Sequence, residues 1–388
     1  MHKILTLNNI SPVGLDRFPR NSYEVASEIV RPDAIMLRSF KMHDMELPVS
    51  LQAVGRAGAG VNNIPVEKMS ALGVPVFNAP GANANAVKEL VLAGLLMAAR
   101  NIPQAWEYTR QLEGDDAEVA KAVEAGKKKY VGYELPGRTL GVIGLGAIGY
   151  RVANAALKLG MNVVGFDPAL SVTNAWQLSS GVQKAVSVDD LMSRCDFVTV
   201  HVPLIDQTRG LINAERINLM NDGAVVLNFS RDGIVDTDAT IAALDAGKLS
   251  AYVCDFPTNA IRNHGKVIAL PHLGASTAEA EDNCAIMVAD QLRGFLDDGN
   301  IVNSVNFPEA VMPRASGTRI TIANANVPNM IGQVSTDLAK HGINIIDLLN
   351  KSRGEVAYSI VDVEPAPSPE IIAEIAGIEG VLKVRVLD

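Results

Sequence analysis

Three glycines in the run LGVIGLGAIG, Leu140 to Gly149, constrain this chain more than any other feature. Gly144, Gly146 and Gly149 have G-x-G-x-x-G spacing. They follow an apolar strand-like stretch, open a helical stretch, and precede a second strand-like run, NVVGFD, ending in Asp167. A β–α–β unit accounts for that order. Gly144 permits a tight turn, Gly146 lets the backbone approach a pyrophosphate, and Gly149 lets helix and strand pack closely. Ala147 and Ile148, where the helix begins, offer unpaired N–H groups and the positive end of the helix dipole to phosphates. Ile148, Val152, Ala156 and Leu159 have the helical spacing of one apolar face. Asp167 can accept hydrogen bonds from a ribose 2′-OH and would repel a 2′-phosphate. No Lys or Arg follows it until Lys184, so the expected cofactor is NAD rather than NADP.

A chain of 388 residues predicts two or three domains with substantial cores. Its hydrophobic content of 48% and charged content of 20% are those of a soluble globular protein. The net charge of −9 argues against nucleic-acid binding, so an anionic substrate would have to be held by local basic residues. Cys195, Cys254 and Cys284 are widely spaced and form no metal-like pair. They read as buried thiols in a reducing compartment, and no metal site is expected. The N-terminus MHKILTLNNI lacks a signal-peptide pattern, and the most apolar segment, Leu90 to Ala99, is far short of the ~20 residues of a membrane span. The expectation is a cytoplasmic protein with no membrane partner.

Along the chain, ILTL, AIMLRS, LQAVGRAG and VPVFNAP alternate with helical stretches as in a parallel α/β unit. A helix over about 85–100 is apolar almost all round, which predicts burial between domains or subunits. A second α/β unit runs from about Arg138 through CDFVTVHVP, GAVVLNFS, SAYVCDF and KVIALPH. A long helix is expected from Ser276, which has capping-box spacing to Glu279, to about Asp298. Residues 306–318 read as a linker. The remainder orders strand, helix, strand, strand, helix, strand, the βαββαβ split motif. The fold expected is therefore α/β: two Rossmann-like doubly wound parallel-sheet domains plus a C-terminal ferredoxin-like domain. The boundaries are 1–97 with 287–305 (substrate binding), 98–286 (nucleotide binding) and 319–388 (C-terminal).

Two residues at strand ends can carry chemistry. His272 follows VIALP, and Arg231 follows AVVLNFS. In open α/β sheets ligands bind outside the carboxyl ends of strands. A histidine there can take the hydroxyl proton of a secondary alcohol as hydride leaves. An arginine beside it can grip a carboxylate bidentately and polarise the reacting oxygen.

Together, VGRAGAGVNNI, LGVIGLGAIG with Asp167, NFSRDGIVD and PHLGAST resemble the D-isomer-specific 2-hydroxyacid dehydrogenases over nearly the whole chain. The C-terminal module is similar to an ACT domain. The resemblance implies NAD-dependent oxidation of a small D-2-hydroxy acid, with His272 as general acid/base and Arg231 on the substrate. It adds His201, Pro203, Ser230, Asp255 and Gly274 to the cofactor set, and Ala57, Gly58 and Ala59 of the loop up to Gly60 as a carboxylate cradle. Arg38 and Arg56 suit a phosphate such as that of 3-phosphoglycerate. Other implied readings are a reductase of glyoxylate or hydroxypyruvate, and a non-enzymatic NAD(H)-sensing binding protein. The ACT-like module implies a small amino-acid effector such as serine, with Asn324, Asn326 and Asn344 as contacts, and the chain is expected to form a homodimer or homotetramer.

The chain departs from the family where a glutamate normally pairs with the histidine. None lies between Arg231 and His272, and Asn259 falls about where it is expected. Asp255 is the carboxylate of DFPTNAIRNHGKVIALPH, and two roles stay open for it: contact with the nicotinamide amide, or pairing with His272. Asp232 follows Arg231 where relatives usually carry glycine, and Lys127, Lys128 and Lys129 read as a solvated charge run.

Overall fold

The computed structural model describes residues 1–387. The chain divides into two compact units, one formed by Met1–Asn83 with the chain from Ala278 onward, the other by Ala84–Thr277.

In the first unit, β1 (His2–Leu7), β2 (Tyr23–Ala26), β3 (Ala34–Leu37), β4 (Ala53–Arg56) and β5 (Val76–Phe77) form a parallel sheet in the order β2-β1-β3-β4-β5. Both faces are apolar, as expected where a parallel sheet is covered on both sides. Leu5, Ile35, Leu37, Val54 and Val76 fill one side. Ile4, Ala34, Met36, Ala53 and Phe77 pack with Val288, Leu292 and Phe295 of the helix Ala278–Asp298 on the other. That helix starts two residues after Ser276, whose N–H donates to the Leu273 carbonyl in the preceding turn.

The second unit contains seven parallel strands: β6 (Thr139–Ile143), β7 (Asn162–Phe166), β8 (Gln183–Lys184), β9 (Phe197–Val200), β10 (Ala224–Asn228), β11 (Leu249–Cys254) and β12 (Val267–Ala269). Their order, β12-β11-β10-β9-β6-β7-β8, is doubly wound, and it reverses direction between β6 and β9. Leu140, Val142, Val225 and Leu227 face the helices Ala84–Ala99 and Gly149–Lys158. Ile143, Val198, Val226 and Tyr252 face the other side. The apolar helix of residues 84–99 is thus largely absorbed within this unit. Gly94 is where it meets Leu227 and Phe229, and an added Cβ there would lie 3.1 Å from the Phe229 ring.

β13 (Thr318–Ala325), β14 (Asn344–Arg353), β15 (Val356–Glu364) and β16 (Val381–Leu387) make an antiparallel sheet ordered β14-β15-β13-β16. Ile320, Ile322, Val361 and Val363 pack beneath the helices Met330–Lys340 and Pro369–Ala376. Strand alternation turns Ala323, Tyr358 and Ile360 to the opposite face, where they join the core around Phe295 and Phe307. Arg385 donates to the Phe295 and Leu296 carbonyls near the end of the helix Ala278–Asp298. The βαββαβ module is therefore built onto the first unit through the one face of its sheet that carries Ala323, Tyr358 and Ile360.

Candidate active site

The fingerprint glycines occupy the turn between β6 and the helix Gly149–Lys158. Gly144 has φ +86°, and a Cβ there would lie 2.6 Å from the His201 carbonyl oxygen. At Gly149 a Cβ would fall 1.8 Å from the Gly144 carbonyl oxygen, whereas at Gly146 it would meet nothing within 4 Å. The first and third glycines are demanded by the protein itself, and the second leaves room for something else. The N–H groups of Gly146, Ala147 and Ile148 donate to no group among the described residues. Open space beside three unpaired amides at a helix N-terminus fits a pyrophosphate.

Asp167 follows β7 directly and braces this turn. Its Oδ2 accepts the Leu145 N–H at 2.8 Å and its Oδ1 the Ala169 N–H at 2.8 Å. A carboxylate has about four acceptor sites, so both oxygens can still take a ribose hydroxyl.

His201, just beyond β9, lies 3.0 Å through Nε2 from Thr199 Oγ1, and its buried Nδ1 has no partner. Burial drives its pKa down to about 3, which keeps the ring neutral near pH 7. Pro203 receives the Thr208 hydroxyl on its carbonyl at 2.5 Å, and the Ser230 hydroxyl donates to the Val202 carbonyl at 2.5 Å, tying the loops after β9 and β10 together.

The remaining chemistry-bearing residues lie beyond β10, β11 and β12. Arg231 is exposed, with Nη1 donating to the Ser230 carbonyl at 2.7 Å, and its own carbonyl is held by the buried Asn228 amide at 3.0 Å. Asp255 is buried at 1% exposure, and its Oδ2 accepts the Gly274 N–H at 3.1 Å. Burial pushes its carboxyl above the ordinary 3.8, against the opposing pull of the Gly274 N–H and of His272. Asp255 also uses its carbonyl to accept the His272 N–H at 3.1 Å, while His272 itself adopts φ +48°.

A cavity of about 380 Å³ is lined by Asp232, Asp255, Phe256, Pro257, Thr258, Pro271 and His272. Its lining includes Asp255 and His272 together with two residues that sequence reasoning missed. The Phe256 ring lies 5.2 Å from the His272 ring at an interplanar angle of 67°. Thr258 presents a buried Oγ1 with no hydrogen-bond partner. Asn259, one residue later, is exposed and outside the lining. The proximity of FP to Asp255 in sequence was the available signal, but nothing in the linear order says which ring faces the histidine.

In the first unit, Arg56 Nε donates to the Arg38 carbonyl at 3.0 Å, while the Arg38 guanidinium lies 2.7 Å from Glu281. The two arginines are neighbours on β4 and at the end of β3. The loop Ala57–Gly60 differs in detail from the expected cradle. The Ala57 N–H is taken by the Leu37 carbonyl and the Gly58 N–H by the Arg56 carbonyl, each at 2.8 Å. The N–H groups of Ala59 and Gly60 donate to no group among the described residues.

The βαββαβ module holds a separate cavity of about 200 Å³ lined in part by Asn324, Asn326, Asn329 and Asn350. Asn324 Oδ1 is buried without a partner, and the Asn326 amide donates to the Gly354 carbonyl at 2.9 Å. Asn329 adopts φ +65°, a conformation asparagine tolerates. Asn344 is not in this lining. It pairs with Glu364 at the start of β14, whereas Asn350 of the same strand does line the cavity. All three cysteines are buried and free, and among the described residues no cluster of metal-ligating side chains occurs. No helix among the described residues is long and apolar enough to cross a membrane.

Comparison with known proteins agrees with this geometry. Residues 92–274 match the family model for "D-isomer specific 2-hydroxyacid dehydrogenase, NAD binding domain". The D-3-phosphoglycerate dehydrogenase of Haemophilus influenzae is 34% identical over 355 residues, covering 88% of this chain and 83% of that protein. The enzyme of the same name from Methanocaldococcus jannaschii is 35% identical over 88% of this chain, which spans only 63% of that longer protein. Among solved structures, NAD+-bound 3-phosphoglycerate dehydrogenase of Entamoeba histolytica aligns at TM-score 0.61 with 24% identity, over 79% of this chain and 98% of that one. D-mandelate dehydrogenase of Rhodotorula graminis aligns at TM-score 0.66 with 23% identity, over 81% and 99%. With its nucleotide cradle, its strand-end histidine and these relatives, the chain belongs to the D-isomer-specific 2-hydroxyacid dehydrogenase family, whose NAD-binding domain it contains.

Proposed function

We propose that this chain oxidises D-3-phosphoglycerate to 3-phosphohydroxypyruvate, the first step of L-serine biosynthesis. The observation that carries the reading is the placement of His272, beside a cavity at the carboxyl ends of the same parallel sheet whose β6–helix turn fits a pyrophosphate. NAD, when bound, accepts the hydride from C2. His272 takes the hydroxyl proton, and Arg231 holds the carboxylate and stabilises charge on the reacting oxygen. Asp255 serves the cofactor end of the site, because its side chain is bonded to Gly274 rather than to the imidazole. Arg56 and Arg38 are assigned to the substrate phosphate, and the unpaired amides of Ala59 and Gly60 to its carboxylate.

The same reading assigns the Asn324–Asn326 cavity to a small amino-acid effector such as serine, supported by the unpartnered Asn324 oxygen. It takes the chain to be a cytoplasmic homodimer or homotetramer. The helix Ile102–Arg110 supports association, since it buries none of its residues and leaves Trp106 59% exposed.

The test is the initial rate of NADH consumption with phosphohydroxypyruvate against hydroxypyruvate at matched concentrations. Charge-assisted contacts to a phosphate are worth about 1.5–3 kcal/mol, so a preference of about 10- to 100-fold is expected. Equal or reversed rates would move the chain to the reduction of unphosphorylated 2-oxo acids. No rate with either acid, despite tight NADH binding, would make it a nucleotide-sensing protein.

A further inference from the structure

We propose that Phe256 is a positioning residue for His272, orienting the imidazole through ring contact where a carboxylate would otherwise orient it through a hydrogen bond. The proposal rests on the reading of His272 as the general acid/base.

A proton-transferring imidazole must be held at a fixed angle to its substrate, and the usual device is a carboxylate on one ring nitrogen. Here neither ring nitrogen of His272 has a hydrogen-bond or ion-pair partner among the described residues. The nearby carboxylate is engaged elsewhere, since Asp255 Oδ2 accepts the Gly274 N–H. Something else has to limit rotation of the ring.

The loop geometry supplies it. The Asp255 carbonyl accepts the His272 N–H at 3.1 Å, and the Leu270 carbonyl shares that donor at 3.1 Å. With φ at +48°, His272 directs its side chain from a backbone that these bonds and the Asp255–Gly274 bond hold on both sides. Phe256 is the next residue after Asp255, so the clamp that fixes the histidine backbone also carries the phenyl ring to it. The rings meet in a T-shaped arrangement at 5.2 Å and 67°, within the range of favourable aromatic pairs. Both line the 380 Å³ cavity, and Phe256 is only half-buried, so its ring is not simply core filling.

A ring contact restrains angle without placing a negative charge on the imidazole, and it leaves both nitrogens available to substrate and solvent. That distinguishes it from a carboxylate pair in a way that can be measured. Phe256→Leu keeps an apolar side chain but removes the ring, and Phe256→Tyr keeps the ring.

The experiment uses the full-length chain, with steady-state rates for NADH and whichever of phosphohydroxypyruvate and hydroxypyruvate the wild type reduces faster. NMR spectra of the histidine ring C–H groups are recorded alongside. The expected result is a fall in kcat of about tenfold for F256L, with KM for NADH within about twofold of wild type, and at least half the wild-type kcat for F256Y. The His272 ring signals should move in F256L and stay near their wild-type positions in F256Y. Full kcat in F256L, or His272 signals unmoved by loss of the ring, would overturn the proposal. So would F256Y falling as far as F256L, which would mark Phe256 as a packing residue. A wild type that reduces neither acid would be seen before any variant is compared, and it would overturn the catalytic reading together with the role given to Phe256.

Discussion

Asp255 and Gly274 are joined by a 3.1 Å hydrogen bond from the Gly274 N–H to the Asp255 Oδ2, which draws the end of β11 and the turn after β12 together. The carboxylate is thereby directed to the backbone following His272 instead of to its ring. The other oxygen, Oδ1, is buried and has no partner.

Asparagine at position 255 can still accept the Gly274 N–H but no longer offers a charge. For Asp255→Asn the expected outcome is a rise in KM for NADH of about 5- to 10-fold with kcat lowered less than about threefold, since one charge-assisted contact is lost away from the reacting atoms. A large fall in kcat with a displaced pH profile would instead show Asp255 acting through His272. Stability gives a second readout. Burial raises the folded-state pKa of Asp255 above 3.8, so folding disfavours the ionised form, and the cost develops as pH rises from the unfolded value towards the folded one. The Tm of D255N relative to wild type should therefore be higher at pH 7 than at pH 4, as checked by thermal unfolding at the two pH values.

The second and third glycines of the nucleotide turn should fail in different ways. Gly149→Ala places a Cβ 1.8 Å from the Gly144 carbonyl oxygen, and relief requires the turn and helix to separate. A loss of at least about 2 kcal/mol and a Tm lowered by several degrees are expected. Gly146→Ala meets nothing within 4 Å, so its Tm should stay within about a degree of wild type. Its methyl group occupies the approach of the pyrophosphate, and the Kd for NADH by fluorescence titration should rise at least about tenfold. Undiminished NADH binding by G146A would show that the phosphates lie elsewhere.

The third prediction concerns Arg319 and Asp362, which are 1% and 2% exposed and form a bidentate pair at 2.7 and 2.8 Å. The guanidinium also donates to the carbonyls of Asp298, Met312 and Pro313 at 2.8–2.9 Å, so it fastens β13 to the end of the long helix of the first unit. Removing one partner leaves a buried charge, and Arg319→Met or Asp362→Asn should each cost about 3–5 kcal/mol in chemical denaturation. The combined R319M/D362N variant should lose less than the sum of the single changes. Burial pushes the Asp362 carboxyl up, but the Arg319 guanidinium and the Ala315 N–H outweigh it and hold it below 3.8. The stabilisation is then present above that value and is lost as pH falls through the folded-state pKa. Unfolding midpoints between pH 5 and pH 3 should fall more steeply for wild type than for D362N.

Much of the fold was legible in short-range spacing. The glycine turn, the strand ending in Asp167, the strand-end positions of Arg231 and His272, and the βαββαβ order all depend on residues close in sequence, whose periodicity and turn chemistry act locally. Which amides of the loop Ala57–Gly60 point outward was not legible, because that depends on the neighbouring strand and the turn, and those of Ala57 and Gly58 are taken by the Leu37 and Arg56 carbonyls. That Asn350 lines the cavity of the βαββαβ module and Asn344 does not depends on the course of β14, in which Asn344 pairs with Glu364 and Asn350 with Ser359.

The sequence by itself determined the kind of molecule: a doubly wound nucleotide-binding sheet, an acid at the end of its second strand, a histidine beyond its last strand, and a terminal split βαβ module. Tertiary structure decided the partners. It directed Asp255 to Gly274, brought Phe256 rather than Asn259 to the histidine, and joined Arg319 to Asp362 across two strands. Composition and periodicity report burial and secondary structure because those depend on residues a few positions apart. The contacts that tune a site depend on loop dihedrals and strand register, which become fixed only when distant segments pack.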